Sequence, residues 1–228
     1  MNTVLQNQDI NKRIRLVMHL RKMGITDSGV LGAMEKVPRD FFVPDSVLDQ
    51  AWDDTALPIG RGQTISQPLV VATMTQALQL SDRDKVLEIG TGCGYQTAIL
   101  ARIARRVYSI ERHAPLLRPA EQRLKELSIH NVTTLLGDGM LGWPKMHGID
   151  QAPFDKIIVT AEAQGKPPEK LVDQLRVGGM MVIPVAEDGE QHLKLIVKES
   201  VETCSSRFIC SVRFVPLLPD IAARDEEG

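Results

Sequence analysis

The chain has 228 residues, enough for one large domain with a full core and too few for two ordinary ones. Its 27 Lys and Arg nearly balance its 29 Asp and Glu, for a formal charge of −2, so there is no broad positive field for nucleic acid. Cys93, Cys204 and Cys210 follow no metal spacing, the polar stretch Met1 to Asp9 lacks the apolar centre of a signal peptide, and no run reaches a membrane span. These features point to reduced, buried thiols in a cytoplasmic protein; a monomer without membrane or nucleic-acid partners is expected.

In chain order, Ile10 to Met23 spaces Ile10, Ile14, Val17 and Met18 as one face of a helix, with Lys12, Arg13, Arg15, Arg21 and Lys22 mostly opposite. That basic face is either solvated or a contact for an acidic partner. Asp27 or Ser28 can cap a second helix that runs to Val37 and stops at Pro38. From Arg39 to Gln67 prolines and glycines break every periodicity, and a loop of this length in a compact domain usually has a function. Pro68 suits the first position of a helix running to about Leu80. Ser66 therefore stands just ahead of a helix start, where Ser66 or Gln67 can cap the helix, or the hydroxyl and free amides can hold a carboxylate.

Lys85 to Tyr95 reads as a short apolar strand, then a loop with Gly90, Gly92 and Gly94, then a helix to Arg106. Such glycines admit positive φ and close approach of a ligand. The dinucleotide fingerprint needs a small third residue where Tyr95 stands, which argues against NAD. A G-x-G-x-G loop preceded by the acidic Glu88 suits S-adenosyl-L-methionine, which has no phosphate to cradle. A second strand, Val107 to Ile110, ends in Glu111, where a carboxylate can accept from ribose hydroxyls.

His113 to Leu127 is mostly helical, with Pro115 and Pro119 predicting an irregular first turn or a later start. Val132 to Leu136 is a strand ending at Gly137-Asp138-Gly139, where Asp138 is either a turn residue or an acceptor for an adenine amine. Met140 to Pro153 is a loop, and Phe154 to Thr160 is a strand whose Ile157-Ile158-Val159 run marks burial on both faces. A helix from Glu169 to Arg176 stops at Gly178-Gly179, and Met180 to Val185 is the fifth strand. His192 to Glu199 and Ser206 to Leu217 form an antiparallel pair at the end of the sheet. Residues 219–228 are expected to fray. His19, His113, His130, His147 and His192 show no metal spacing, and no catalytic triad or nucleophile elbow can be assembled.

Several of these stretches resemble one family, the protein-L-isoaspartate(D-aspartate) O-methyltransferases. Leu57-Pro-Ile-Gly and Gly62-Gln-Thr-Ile-Ser-Gln-Pro look like that family's own signature, and Leu87-Glu-Ile-Gly-Thr-Gly-Cys-Gly-Tyr resembles its cofactor loop. Leu135-Leu-Gly-Asp-Gly, Pro153-Phe-Asp-Lys-Ile-Ile-Val-Thr-Ala and Val212-Arg-Phe-Val-Pro-Leu are similar to its later motifs. The resemblance runs from about Ile10 to Leu217. It implies a class I methyltransferase: a Rossmann-like α/β fold with a doubly wound, mostly parallel sheet, antiparallel C-terminal strands and extra N-terminal helices. Residues 1–80 supply the helices and the substrate-side loop, and residues 81–218 the cofactor-binding core.

The resemblance further implies methyl transfer to the free α-carboxylate of isoaspartyl residues in damaged proteins, with D-aspartyl residues as further candidates. Ser66 matches the family's catalytic serine, which decides against the capping role. Glu88, Gly90, Thr91, Gly92, Glu111, Asp138, Gly139 and Thr160 are expected at the cofactor, and Ile65, Gln67 and Val215 at the peptide. Glu162 and Arg61 depart from the family pattern, which calls for a small residue and commonly a histidine. A class I methyltransferase for a small molecule or RNA shares the glycine loop but has no need of Gly62 to Pro68. A module that binds the cofactor without transferring its methyl group is the third reading.

Overall fold

The computed structural model describes residues 3–223. It opens with α1 (Thr3–Lys22) and α2 (Ser28–Lys36). Asp27 starts α2 by accepting from the amides of Gly29 at 2.8 Å and Val30 at 3.1 Å. On α1 the buried residues are Leu16, Val17 and Leu20, whereas Ile10, Ile14 and Met18 are exposed. The spacing picks the wrong face because a basic residue lies along the inner one. Arg13 sits over the Trp52 ring at 5.1 Å and donates to the Glu35 carbonyl, covering apolar surface with its stem.

Residues 39–67 are more ordered than the sequence predicts. Two 3-10 turns, Arg39–Phe42 and Asp45–Gln50, lead to a hairpin of β1 (Leu57–Gly60) and β2 (Gln63–Ile65). Gly60, Arg61 and Gly62 all take positive φ (92°, 55° and 68°), so two glycines and a proline hide the strands from a propensity reading. The fully buried Arg39 ties this region down: it donates to the carbonyls of Ala51 at 2.9 Å and Thr55 at 3.0 Å and lies 5.1 Å over the Tyr95 ring.

From α3 (Pro68–Ala77) strands and helices alternate: β3 (Lys85–Ile89), α4 (Tyr95–Ala101), β4 (Arg106–Glu111), α5 (Ala114–Glu126), β5 (Val132–Leu136) and β6 (Phe154–Val159). The short β7 (Ala163–Gln164) and α6 (Glu169–Gln174) follow, then β8 (Leu175–Glu187), β9 (Glu190–Lys198) and β10 (Cys204–Ser211). α5 begins at Ala114 in spite of its prolines, because Pro115 falls in the first turn, where no amide is needed. Gly178 and Gly179 do not stop a helix; they lie inside β8, which begins at Leu175.

The sheet runs β10-β9-β8-β6-β3-β4-β5, with β7 beside β8. β5, β4, β3, β6 and β8 are parallel, and β8, β9 and β10 form an antiparallel meander with a bulge between Phe208 and Cys210. This is the α/β architecture expected. The chain leaves β3 for β4 on one side and returns to β6 on the other, so a crevice opens at the carboxyl ends of these strands. Ile157, Ile158 and Val159 are fully buried between helices from both faces. Among the described residues no helix is long and apolar enough to cross a membrane.

After Ser211 the chain leaves the sheet, where the sequence predicts strand to Leu217. Residues 212–218 form a strap that turns back over the carboxyl ends of the strands. Beyond it, Pro219 and Asp220 present carbonyls to Arg112, and the amides of Asp220 and Ala222 reach Asp138 and the Arg112 carbonyl. The expected fraying therefore does not begin at Pro219, and residues 224–228 lie outside those described.

One acid is sealed inside the sheet. Glu88 has no exposed surface; its Oε2 accepts from Thr97 Oγ1 at 2.5 Å and Ser109 Oγ at 2.6 Å, and its Oε1 has no partner. Burial outweighs the two hydroxyl bonds and pushes its pKa up from 4.5 to about 8. The folded state thus keeps a proton that the unfolded chain has released, and this contribution is complete below 4.5 and is lost as pH rises through about 8. We expect the melting temperature of the wild-type protein to fall relative to Glu88→Gln as pH rises from about 5, and the difference to level off above about 8. A gap that stays constant with pH means that Glu88 is already ionised in the fold.

Candidate active site

A cavity of about 210 Å³ occupies the crevice at the strand ends. The glycine loop forms its floor, Glu111 and Gly139 line one end, and Ser66 with the β1–β2 hairpin lines another. Thr160 and residues 214–218 of the strap complete the wall. Its surroundings explain how each segment is held.

The glycine loop is built mainly for the protein's own contacts. A Cβ on Gly90 would come within 2.2 Å of Thr160 Oγ1, and one on Gly94 within 3.2 Å of the Ala120 Cβ of α5. Thr160 Oγ1 lies 3.0 Å from the Ile89 carbonyl and 2.9 Å from that of Gly90, so its single proton is directed at the loop. The amides of Gly90 and Thr91 turn back to the Ile110 carbonyl, and Thr91 Oγ1 pairs with Ser109 at 2.6 Å. A chain of hydroxyls and one buried acid, Thr91, Ser109, Glu88 and Thr97, therefore supports the loop from below.

Glu111 is 5% exposed and lines the cavity. Its Oε2 accepts from the amide of Gly92 at 2.7 Å and its Oε1 from that of His113 at 2.9 Å. A carboxylate has about four acceptor sites. Each oxygen keeps a lone pair for a hydroxyl, which suits the paired hydroxyls of a ribose. A phosphate fits poorly, because the loop amides face inward and the Arg112 guanidinium is held by the carbonyls of Pro219 and Asp220, both at 3.1 Å. The donor set favours a nucleoside without phosphates.

Ser66 lines the cavity immediately before α3, and among the described residues its hydroxyl makes no hydrogen bond. The helix start behind it is already filled. Asp54 Oδ1 accepts from the Leu69 amide at 2.8 Å, and its Oδ2 accepts from Gln67 Nε2 at 3.1 Å and lies 3.0 Å from His19 Nε2. The position offered by the sequence to an incoming carboxylate thus holds a carboxylate of the chain itself, leaving the Ser66 hydroxyl as the free group. Neither Ser66 nor Gln67 caps α3 through its side chain.

Of the residues singled out by the sequence, Ile65, Ser66, Gly90, Thr91, Gly92, Glu111, Gly139, Thr160 and Val215 meet in this cavity. Three do not. Glu88 points off one face of the sheet into the layer covered by α4, beside its register partner Ser109 and against Thr97, and not beyond the strand end. Gln67 turns back to Asp54. Asp138 spends one oxygen on the Met140 amide at 2.8 Å and the other on that of Asp220 at 3.0 Å, which makes it a turn and tail anchor.

The cavity also gathers Gln96 and Arg112, which the sequence reading passes over, and Leu217, whose segment resembles one that lines the substrate cleft in the family. Arg112 directly follows the acidic strand end, the one available signal for it. Tyr95 is fully buried against Phe42, with its hydroxyl pushed up to about 12 by burial, so it enters neutral. Cys93 also reaches the cavity, but burial raises its thiol pKa and leaves it a poor nucleophile.

The chain aligns with similar proteins over nearly their whole length. The chain is 55% identical over 211 residues to a protein-L-isoaspartate O-methyltransferase of Rhodospirillum centenum, covering 92% of this chain and 93% of that one. The corresponding protein of Rhodospirillum rubrum is 53% identical, covering 96% and 98%. The fold matches a crystal structure from Plasmodium falciparum, described as a protein-L-isoaspartate O-methyltransferase in complex with S-adenosyl-L-homocysteine. That match has a TM-score of 0.76 at 25% identity and covers 90% of this chain and 98% of the other. The family model described as protein-L-isoaspartate(D-aspartate) O-methyltransferase matches residues 11–221, and the chain belongs to that family.

Proposed function

We propose that this protein transfers the methyl group of S-adenosyl-L-methionine to the free α-carboxylate of L-isoaspartyl residues in damaged proteins and peptides. The observation that carries this reading is that the unpaired Ser66 hydroxyl and the ribose-competent Glu111 face the same cavity in a chain of this family. The donor, when bound, supplies a methyl group on a positively charged sulfur. Gly90, Thr91 and Gly92 would hold its methionine part, Glu111 the ribose hydroxyls and Gly139 the adenine, all of them lining the cavity. Thr160 acts on the cofactor through the loop, which it holds.

The acceptor carboxylate has a pKa near ~4 and at neutral pH is already the nucleophile, so no general base is required. Neither His113 nor Cys93, which both line the cavity, is therefore needed as a base, and burial raises the Cys93 thiol pKa. What the chain supplies is alignment. Ser66 donates to one carboxylate oxygen and leaves the other to attack, while Ile65 and Val215 flank the peptide. The strap and the hairpin keep water from a step in which two opposite charges cancel. The methyl ester then closes to a succinimide, which reopens in part to normal aspartate. The three free cysteines and the near-neutral charge support a cytoplasmic monomer whose partners are damaged proteins, with neither nucleic acid nor a membrane involved.

An isoaspartyl peptide and its normal aspartyl twin separate this reading from a small-molecule or RNA methyltransferase: methyl label is expected on the first alone, and label on neither overturns the reading. Ser66→Ala is expected to lower kcat/KM for that peptide about tenfold, with the Kd for S-adenosyl-L-homocysteine unchanged. Unaltered turnover would remove the serine from the reaction. Glu111→Ala should weaken S-adenosyl-L-homocysteine by about 1–3 kcal/mol in calorimetry, because it loses charge-assisted hydrogen bonds to ribose. Full affinity in this variant would place the ribose elsewhere.

A further inference from the structure

Glu162, one of the two departures from the family pattern, does not face the cavity. It is 6% exposed, and its carboxyl oxygens accept from Gln164 Nε2 and Gln191 Nε2. Its backbone pairs with the strap: the Glu162 amide donates to the Val215 carbonyl at 2.8 Å, and the Leu217 amide donates to the Glu162 carbonyl at 2.7 Å.

Gln191, in β9, grips the strap at a second place. Its backbone carbonyl accepts from the amide of Val212 at 3.0 Å as the chain leaves the sheet. Its side-chain amide then reads Phe214 as a neighbouring strand would. Oε1 accepts from the Phe214 amide at 2.6 Å, and Nε2 donates to the Phe214 carbonyl at 3.1 Å. The second hydrogen of Nε2 goes to Glu162, which braces a carboxamide whose way round Phe214 itself sets. Reversed, it would present a donor to an amide and an acceptor to a carbonyl.

We propose that Glu162 and Gln191 are positioning residues for the peptide substrate, acting together as a clip that sets the strap, and with it Phe214, Val215 and Leu217, against the substrate side of the cavity. Gln191 supplies the contact to the strap, and Glu162 braces Gln191 there by accepting the hydrogen of Nε2 that Phe214 leaves free. The role of Glu162 is therefore geometric: an acceptor is needed at that point, and a charge in the cleft is not. This proposal rests on the isoaspartyl reading above for the identity of the peptide, but the clip itself is defined by the strap.

The test joins hydrogen–deuterium exchange across residues 212–218 with steady-state kinetics on an isoaspartyl peptide, using the full chain. In Gln191→Ala and Glu162→Ala the amides of Phe214 and Leu217 are expected to exchange about tenfold faster, with the β3 and β4 amides unchanged. Peptide KM should rise about fivefold or more, while kcat stays within about twofold. Glu162→Gln, which keeps an acceptor, should recover most of both losses. Unaltered strap exchange in the alanine variants overturns the proposal, as does a Glu162→Gln variant no better than Glu162→Ala. Faster exchange throughout β3 and β4 would show a general folding role and overturns it as well. A wild-type protein that leaves the peptide unmethylated sinks the isoaspartyl reading alone, because strap exchange still reports on the clip.

Discussion

Two side chains tie three strand ends together, and the cavity exists because they do. Thr160, just past β6, directs its hydroxyl at the carbonyls that end β3, where Gly90 leaves no Cβ in the way. Glu111, at the end of β4, accepts from the loop at Gly92 and from its own successor at His113. Together they fix the glycine loop between its two parallel neighbours. The loop then needs no ligand to hold its shape, since the amides of Gly90, Thr91, Gly92 and Gly94 are satisfied from within, and binding need not be spent on ordering it.

Pre-organisation of this kind matches the chemistry. A reaction whose nucleophile is ionised in water gains little from acid–base groups and much from placement and dryness. The molecule is accordingly rich in positioning contacts around the cavity, and burial pushes the titrating groups Tyr95 and Cys93 in its wall toward their neutral forms. The most shifted acid, Glu88, lies beneath the loop, and Arg39 reaches the site only through Tyr95. Asp54 shows the same economy, filling the helix start behind Ser66 so that a hydroxyl, and not a dipole, faces the cavity.

The alternating strands and helices, the glycine loop and Glu111 were legible because each rests on local rules: apolar runs, turn glycines, an acid at a strand end. What stayed hidden depends on where a side chain points once strands are in register. Glu88 was read as facing the cofactor from its place before the glycines, yet the polar Ser109 and Thr97, each within an apolar segment, carried the signal that a buried partner was required. The inner face of α1 was missed because Arg13 lies along it, and the hairpin because its turn consumes two glycines. The strap could not be told from a strand, since Val212 to Leu217 has strand composition and only the side chain of Gln191 takes it out of the ladder.

The bulge in β10 bears on how this protein coexists with its own copies. β10 is the outer strand of the sheet and shows much of its length to solvent, including Phe208. A flat, free margin of this sort is a template for runaway polymerisation between molecules. The extra residue between Phe208 and Cys210 twists the margin out of plane, and the neighbouring Arg207 adds a charge that an approaching strand must desolvate. A bent and charged margin of this kind is a poor template for the exposed strands of other chains.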